Sequence, residues 1–229
     1  MNAKTVKLSV LSWNVRGLGD ADKCRVVRDL IQSLKLDIVC LQETKLRTVD
    51  ERRARAFLPP NLSLFRCVDA SGSRGGILTA WDPRAVLLHS FIARKHTLSL
   101  AFTSTTSDAA FTVTNVYAPS DHRDSLAFLL DLEEIAAQIS GNWVIAGDFN
   151  LTRGASDNSS GAVDTRLADA FNDSIHKLGL IDIPLLDKLF TWSNHRDCPS
   201  LARLDRFFFN AEMSTAFPNS TLVSAPKPL

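Results

Sequence analysis

The sequence feature that most constrains the fold is the run WVIAGDFN at residues 143–150. Four apolar residues that end at a glycine are typical of a short buried strand. Asp148 and Asn150 follow, and because alternate residues of a strand point to the same side, we predict that their side chains share one face. A carboxylate beside a carboxamide can orient a water molecule or a phosphate oxygen. An ordinary turn after a strand uses the same residue types, so both interpretations remain open.

The bulk properties indicate one globular domain over residues 1–229. The chain of 229 residues is 45% hydrophobic and 22% charged, which suits a single α/β core of this length. Its formal net charge of +1 excludes a polycation that coats nucleic acid nonspecifically. Any affinity for nucleic acid must therefore come from a local patch.

The cysteines and the termini indicate an intracellular protein. The four cysteines show neither CxxC spacing nor a zinc-ligand cluster, so we expect them to be reduced, in the cytoplasm or the nucleus. Residues 1–7 contain no apolar segment of a signal peptide, and no apolar run is long enough to span a membrane. We therefore expect no membrane partner, and the sequence leaves the oligomeric state open.

The first third of the chain predicts a βαβ-like unit. Residues 6–13 alternate as a strand that delivers Asn14 to a glycine-containing turn, and residues 22–35 carry a helical apolar face with Asp20 or Asp22 as its N-cap. Residues 36–45 form a nearly continuous apolar strand that ends in Gln42 and Glu43. The polar ends of the two strands should gather at one edge of a sheet, which makes Asn14 and Glu43 neighbours.

The rest of the chain alternates strands and helices. Strands are predicted at 77–81, 86–91, 97–103 and 111–116, with the spacing of antiparallel hairpins, and Tyr117 lies where the last of them ends. Helices are predicted at 123–139 and 165–178. The apolar side of the first of these is predicted to comprise Leu126, Leu129, Leu130, Leu132 and Ile135.

Short strands are predicted at 190–194 and 201–209, and the second carries Asp205 in apolar surroundings. An unpaired buried carboxylate is costly, so Asp205 needs a partner, and a flanking arginine is the simplest one.

Two basic segments have alternative interpretations. Residues 47–55 contain four arginines, typical of a solvated face but also of a phosphate-contacting patch. Residues 71–76 (SGSRGG) place Arg74 in a glycine-rich loop. Such a loop can approach a phosphate closely, and it can equally form a hairpin turn.

The polar strand ends together predict one pocket, which collects Asn14, Glu43, Tyr117, Asp148, Asn150 and Asp205. A single carboxylate such as that of Glu43 commonly holds Mg²⁺ beside a phosphate, because this ion keeps several of its waters. Asp148 and Asn150 would then orient the attacking water. The chemistry predicted is hydrolysis of a phosphoester.

Six motifs in this order resemble the endonuclease/exonuclease/phosphatase superfamily: SWN at 12–14, LQETK at 41–45, NVYAP at 115–119, GDFN at 147–150, FTWSN at 190–194 and RLDR at 203–206. The RGG loop at 74–76, residues 148–157 and residues 190–194 resemble the apurinic-endonuclease-like domains of plant LINE-type retrotransposons, which nick DNA to prime reverse transcription. The resemblance implies a four-layer, DNase I-like α/β sandwich, with two packed mixed β-sheets flanked by helices.

The resemblance also implies roles for individual residues. Glu43 and Asn14 would hold Mg²⁺, with Mn²⁺ as an alternative ion, and no small-molecule cofactor is implied. Tyr117 would contact the phosphate, while Asp148 and Asn150 would position the nucleophilic water. Asp205 would orient a catalytic histidine. DNA is the implied partner, contacted by Arg74, Thr191 and Trp192.

The chain departs from the family pattern at two places. The family's last motif, Ser-Asp-His, does not occur in the 229 residues, so we expect a C-terminally truncated domain without its last strand and with weakened or absent activity. His195 is a candidate substitute for the missing histidine, although a loop histidine is more typically solvated. Arg16 replaces an acidic residue found in many members outside the retrotransposon branch, which argues against a second metal ion.

Two other functions stay open at this stage. The first is a non-catalytic retrotransposon remnant, which the missing motif favours. The second is a phosphatase of the same superfamily that acts on a small molecule or a lipid.

Overall fold

A computed structural model describes residues 7–72, 74–194 and 196–226. Twelve strands lie in the described residues. They are β1 (Val10–Asn14), β2 (Ile38–Gln42), β3 (Leu64–Ser71), β4 (Arg74–Trp81), β5 (Val86–Ala93), β6 (Thr97–Ser104), β7 (Ala110–Tyr117), β8 (Asn142–Asp148), β9 (Ile181–Asp182), β10 (Trp192–Ser193), β11 (Leu201–Ala202) and β12 (Asp205–Phe209).

Four of the five described helices begin at a residue whose side chain caps them. The five are α1 (Ala21–Leu34), α2 (Glu51–Ala54), α3 (Ser125–Ala136), α4 (Thr165–Lys177) and α5 (Ala211–Ala216), with short 3₁₀ turns at His122–Asp124 and Ala155–Asp157. The exception is α3. Asp20 caps α1, Asp164 caps α4 and Asn210 caps α5, each by accepting a hydrogen bond from a backbone N–H of the first turn. Of the two caps predicted for α1, the structure selects Asp20.

The larger strands form two mixed sheets that pack face to face. Sheet A has the order β1-β2-β4-β3, and sheet B has the order β5-β6-β7-β8-β12-β9. The strands β10 and β11 form a separate two-stranded ribbon. Because β1 and β2 pair in parallel across α1, the predicted βαβ unit is confirmed.

Three apolar clusters separate the four layers. One lies between sheet A and the helices α1 and α2, and another lies between sheet B and the helices α3 and α4. The third fills the space between the sheets with Ile38, Ile77, Leu100, Val113 and Val144 among its members. The layers are therefore helix, sheet, sheet and helix, which confirms the predicted α/β sandwich.

The structure corrects one predicted helix face. Leu129, Leu132 and Ile135 are buried as expected, but Leu126 and Leu130 are 40% and 62% exposed. Phe128 is buried against the core in their place. Apolar residues surround much of α3, so the sequence pattern alone could not select the buried side.

Several strands are shorter than predicted. β1 begins at Val10 and not at residue 6, which lies outside the described residues, and the strand predicted at 36–45 is β2 over Ile38–Gln42. The segment predicted as one strand at 201–209 is divided into β11 and β12, because the chain leaves the ribbon before it joins sheet B. Within the described ranges, no helix is long and apolar enough to cross a membrane.

Candidate active site

Sheet A places Asn14 and Glu43 at one edge. β1 and β2 are parallel, so they end at the same edge, where Asn14 pairs in register with Gln42. The chain leaves β2 at Glu43, whose φ is +53°. The loop after β1 follows this turn, because the N–H groups of Val15, Gly17 and Leu18 donate to the carbonyls of Gln42, Glu43 and Thr44. The predicted proximity of Asn14 and Glu43 is therefore present in the fold.

Sheet B places three more of the predicted residues together. Asp148, the last residue of β8, pairs in register with Tyr117 at the end of β7 and with Asp205 at the start of β12. β8 is the central strand of the three, and Asp148 at its end thus lies between Tyr117 of β7 and Asp205 of β12. This alignment depends on parallel pairing with β7 and antiparallel pairing with β12.

Gly147 allows the two strands β7 and β8 to approach closely beside the site. A Cβ atom at this position would lie 1.9 Å from the carbonyl oxygen of Val116. Any side chain would therefore collide with backbone, which cannot move without breaking the pairing. The glycine that ends the apolar run is thus needed for the register that presents Asp148.

The two halves of the site meet through a hydrogen bond between the sheets. Asn14 Nδ2 donates to Asp148 Oδ2 over 2.7 Å. Beneath it, Gln42 Nε2 donates to Asn115 Oδ1 over 2.7 Å, and Asn115 Nδ2 donates to the carbonyl of Leu78 over 3.0 Å. Gln42 and Asn115 are fully buried. Since buried amides are costly when unpaired, the contacts fix the relative position of the two sheets at the site.

Asn150 reaches Asp148 in a different way from that predicted. β8 ends at Asp148, and Asn150 has a φ of +49°, so the alternation of a strand does not apply to this pair. The backbone N–H of Asn150 donates to Asp148 Oδ1 over 3.0 Å, while its side-chain Nδ2 donates to the carbonyl of Ala118 over 2.9 Å. The two residues are adjacent at the site because of a turn and not because they share a strand face.

The carboxyl groups of the site lie close to one another, with Asp148 buried and Glu43 and Asp205 half-buried. Burial raises the pKa of Asp148, and the charge of Glu43 adds to this, although hydrogen bonds from Asn14 and Asn150 oppose it. Burial and the charge of Asp148 raise the pKa of Asp205 to about 7. Burial, the charges of Glu43 and Asp148 and a hydrogen bond to Glu43 raise the pKa of the Tyr117 hydroxyl. The site therefore concentrates negative charge, as perturbed functional sites commonly do.

Unusual backbone conformations cluster at the same edge. Six described residues other than glycine have positive φ, and four of them, Arg16, Glu43, Lys45 and Asn150, lie in the loops around the site. Such conformations each cost roughly 1–3 kcal/mol and are retained where the surrounding structure enforces them. The loops are held by backbone hydrogen bonds, including those from Thr44 and Lys45 to the carbonyls of Gly76 and Gly75.

The partner predicted for Asp205 is wrong. The flanking residues Arg203 and Arg206 both bind Asp182, at 2.9 and 2.7 Å, and Arg206 also binds Asp157. Arg206 is buried on the opposite face of β12 from Asp205, because neighbouring strand residues alternate. Asp205 interacts instead with Thr191, whose hydroxyl is hydrogen-bonded to it.

The residues implied to contact DNA are distributed around this centre. Thr191 Oγ1 also accepts hydrogen bonds from the N–H groups of Leu204 and Asp205, at 3.1 and 3.0 Å, so it fixes the start of β12. Trp192 and Asn150 line an open cleft of about 600 Å³, together with Leu167, Ala202 and Leu204. The cleft thus has aromatic and apolar side chains in its lining and reaches the polar site at Asn150.

The glycine-rich segment forms part of the β3–β4 hairpin. Arg74 is exposed at the start of β4, and because β4 is antiparallel to β2, it lies at the edge that carries Glu43. A Cβ atom at Gly76 would lie 2.3 Å from Thr44 Oγ1, so this glycine permits close contact with the loop after Glu43. The hairpin interpretation is confirmed, and a contact between Arg74 and phosphate remains a prediction.

The arginine-rich segment 47–55 mixes structural and solvated side chains. Arg53 donates to the carbonyl of Leu18 and so ties α2 to the loop after β1. Arg55 forms an exposed ion pair with Glu51 at 3.6 Å. Of the candidate residues, His195 lies outside the described part of the chain.

Three site neighbours were not assigned a role by the sequence. Lys45 forms an ion pair with Glu43 at 2.9 Å, and Gln42 and Asn115 form the contact between the sheets. Each lies within two positions of a predicted site residue in the same motif, so proximity in sequence to Glu43 or Tyr117 was the available signal. Charge or polarity alone could not show which of these side chains turn inward.

The donor set suits a hard cation that keeps part of its water shell. Across the described ranges, no group of three or more histidine, cysteine, aspartate or glutamate residues forms an all-protein metal site. Glu43 nevertheless offers a half-buried carboxylate beside Asn14, and its charge raises the pKa of Asp148. One carboxylate with water is how Mg²⁺ is commonly held beside a phosphate, so these residues fit that ion.

Two mixed sheets flanked by helices, with a polar cluster where their strands end, define a DNase I-like α/β protein. The model of the Endonuclease/Exonuclease/phosphatase family matches residues 11–226. The chain belongs to this family, whose members include hydrolytic nucleases and phosphatases.

Solved structures of nucleases share the fold. The endonuclease domain of TRAS1, a telomere-specific non-LTR retrotransposon, is 13% identical with a TM-score of 0.70, over 91% of this chain and 88% of that one. The catalytic domain of Xenopus laevis APE2 is 18% identical with a TM-score of 0.69, over 90% and 83% of the two chains. The AP endonuclease LMAP of Leishmania major is 17% identical with a TM-score of 0.65, over 91% and 80%. At these identities the likeness establishes the fold.

Proposed function

We propose that this chain is a Mg²⁺-dependent endonuclease domain that hydrolyses DNA phosphodiester bonds, as in target-site nicking by a retrotransposon. The observation that carries the proposal is the meeting of Asn14, Glu43, Tyr117, Asp148 and Asp205 at one edge of the two sheets, next to an open cleft. The similarity to a retrotransposon endonuclease and to AP endonucleases supports the substrate class.

Glu43 and Asn14 are the residues that would hold the ion. Bound there, Mg²⁺ would offset the negative charge that develops on the phosphate during hydrolysis. Lys45 pairs with Glu43 at 2.9 Å and limits the negative charge of the site.

Asp148 would orient the attacking water and accept its proton. Asn14 and Asn150 each donate to a different oxygen of its carboxylate, at 2.7 and 3.0 Å, which fixes the plane of the group and leaves further lone pairs on both oxygens. A raised pKa makes Asp148 a better proton acceptor than an ordinary carboxylate. Tyr117, which is hydrogen-bonded to Glu43, would contact a phosphate oxygen.

The 229 residues do not include the family's usual group for donating a proton to the leaving oxygen. The family motif Ser-Asp-His, which carries an acid/base histidine, does not occur among them. Loss of a general acid/base costs roughly 100- to 10,000-fold in rate, so we expect these residues alone to nick DNA slowly. If the chain is instead a non-catalytic remnant, it should nick DNA no faster than an inactive variant does.

DNA is favoured over a small phosphoester by the surroundings of the site. Trp192 lines the cleft beside Asn150, and bases stack on such aromatic side chains. Arg74 lies exposed at the same edge of sheet A as Glu43. A polyanionic substrate predicts affinity that falls steadily as salt increases, whereas a small phosphorylated molecule predicts a weak dependence on salt. A DNA substrate would place the protein in the nucleus or the cytoplasm.

The test is nicking of supercoiled plasmid in Mg²⁺ by the chain, by Glu43→Gln and by Glu51→Gln as an exposed control. We expect Glu43→Gln to nick at least about 100-fold more slowly, because the ion would lose its carboxylate, and Glu51→Gln to match the unaltered chain. A second readout is thermal unfolding, since Mg²⁺ should raise the Tm of the unaltered chain and not that of Glu43→Gln. Equal nicking by all three proteins would contradict the proposal.

A further inference from the structure

Arg16 is exposed at the edge of the site. Neither the sequence motifs nor the proposed hydrolysis assigns it a role. It lies two residues after Asn14, in the loop between β1 and α1. The sequence shows it only as a departure from an acidic residue. Its position in the fold indicates a role of its own.

The backbone at Arg16 is held on both sides in a conformation that arginine rarely adopts. Its φ is +50°. Its N–H donates to Asn14 Oδ1 over 3.0 Å, and its carbonyl accepts a hydrogen bond from Lys23 Nζ over 3.1 Å. The next residue, Gly17, donates to the carbonyl of Glu43. The base of the side chain is therefore fixed directly to the two residues implied to hold the metal ion.

The charge of Arg16 acts on the centre of the site. It lowers the pKa of both Asp148 and Asp205 and so opposes the effect of burial on each. In the described part of the chain, the Arg16 guanidinium forms no ion pair, whereas Lys45 is paired with Glu43. Arg16 thus brings positive charge to the carboxylates while its own donors stay free for a ligand.

We propose that Arg16 binds a non-bridging oxygen of the scissile phosphodiester and holds it against the carboxylates of the site. The inference rests on the proposed function and adds to it a phosphate-binding residue. A guanidinium presents two parallel N–H donors that match phosphate oxygens, and it stays charged at any pH of interest. Anchored beside Asn14, it would reduce the repulsion between an anionic substrate and the buried carboxyl groups.

The test compares binding of the dinucleotide thymidylyl-thymidine, which has one anionic phosphodiester, with that of its neutral methylphosphonate analogue. Binding is followed by NMR with Ca²⁺ added, because Ca²⁺ takes the same oxygen ligands as Mg²⁺. The proteins are the unaltered chain, Arg16→Gln, Arg16→Lys and Arg25→Gln. Arg25 is a matched control, since it lies exposed on α1 and pairs with Asp22 at 3.2 Å.

We expect the unaltered chain and Arg25→Gln to prefer the charged dinucleotide by about 10-fold or more, which is the size of a charge-assisted hydrogen bond. Arg16→Gln should lose about 10-fold of this preference and keep only the part that Ca²⁺ supplies, and Arg16→Lys should lose less because it keeps charge without the planar fork. Arg16→Gly, which tolerates the positive φ, serves as a second neutral variant if Arg16→Gln unfolds.

A preference that is undiminished in the neutral Arg16 variants, or that Arg25→Gln loses equally, would overturn the assignment to Arg16 and leave the proposed function standing. If the unaltered chain itself does not distinguish the two dinucleotides, the phosphodiester site fails and the inference fails with it.

Discussion

At the residue scale, the chemistry of the site depends on how Asp148 and Asp205 share a small buried space. Both are aspartates in register on neighbouring strands, and burial raises the pKa of each. Arg16, Asn14 and Thr191 limit this effect by charge or hydrogen bonds. Aspartate is an ordinary turn residue, but at these two positions its neighbours raise the pKa and so favour exchange of a proton.

The raised pKa of Asp205 predicts a pH dependence of stability. An ordinary aspartyl group has a pKa of 3.8, and that of Asp205 is about 7 in the folded chain. The folded state thus binds this proton more tightly than the unfolded state, so the free energy of unfolding should fall as pH rises from about 4 to about 7. At about 1.4 kcal/mol per pKa unit, the effect reaches a few kcal/mol.

Urea unfolding of the unaltered chain and Asp205→Asn in EDTA checks this expectation. The variant should gain stability relative to the unaltered chain between pH 4.5 and pH 8, because amide and protonated carboxyl are both neutral. Asp169→Asn, on an exposed part of α4, should show no such trend. If the difference in stability between Asp205→Asn and the unaltered chain is the same at pH 4.5 and at pH 8, the assigned pKa of Asp205 is contradicted.

At the element scale, β7, β8 and β12 act together as the platform of the site. Their ends align because β7 and β8 are parallel and β12 is antiparallel to β8. Gly147 allows the first of these contacts, and the ion pairs of Arg206 with Asp157 and Asp182 secure the outer side of β12. The loop after Asn150 is therefore fixed to the strand that carries Asp205.

Gly147→Ala should destabilise the chain by more than about 4 kcal/mol or prevent folding, because the new Cβ would meet backbone 1.9 Å away. Gly141→Ala is the matched control. Its φ is +75°, and an added Cβ would meet nothing within 4 Å, so it should cost only about 1–2 kcal/mol. Circular dichroism and urea unfolding measure both, and similar losses in the two variants would show that the strand contact is not the cause.

At the scale of the whole molecule, the site exists only where two sheets meet. Asn14 and Glu43 come from sheet A, while Tyr117, Asp148 and Asp205 come from sheet B. The buried amides of Gln42 and Asn115 lock the sheets together below the site. A small shift between the layers would separate Asn14 from Asp148.

Asn115→Leu should therefore lower both stability and activity. It removes hydrogen bonds to Gln42, Leu78 and Thr79, and we expect a loss of about 3 kcal/mol from the buried groups left unpaired. Nicking should fall by about 10-fold or more where the variant is still folded, since small misplacements of reacting groups slow catalysis strongly.

Ser99→Ala is the control, because Ser99 bonds to Thr114 within sheet B at 2.8 Å and does not join the sheets. It should lose roughly 1 kcal/mol and keep its activity. If Asn115→Leu keeps full activity as well, the contact between the sheets does not position the site.

The sequence by itself determined the elements and the residue types of this protein. Apolar periodicity located the βαβ unit, the β-rich middle and the run that ends at Asp148, and Asp20 and Asp22 marked the start of α1 to within two residues. These features depend on neighbours within a few residues, which a sequence displays directly. Six ordered motifs then indicated the family and the residues of the candidate site.

Only the tertiary structure decided which of these residues contact one another. It turned Leu126 and Leu130 of α3 to solvent, paired the arginines beside Asp205 with Asp157 and Asp182, and bonded the Asn150 side chain to the carbonyl of Ala118. It also brought the charge of Arg16 close enough to lower the pKa of Asp148 and Asp205, which lie far along the chain. These outcomes depend on which faces two sheets bury against each other, and residues more than a hundred positions apart meet only when the layers pack.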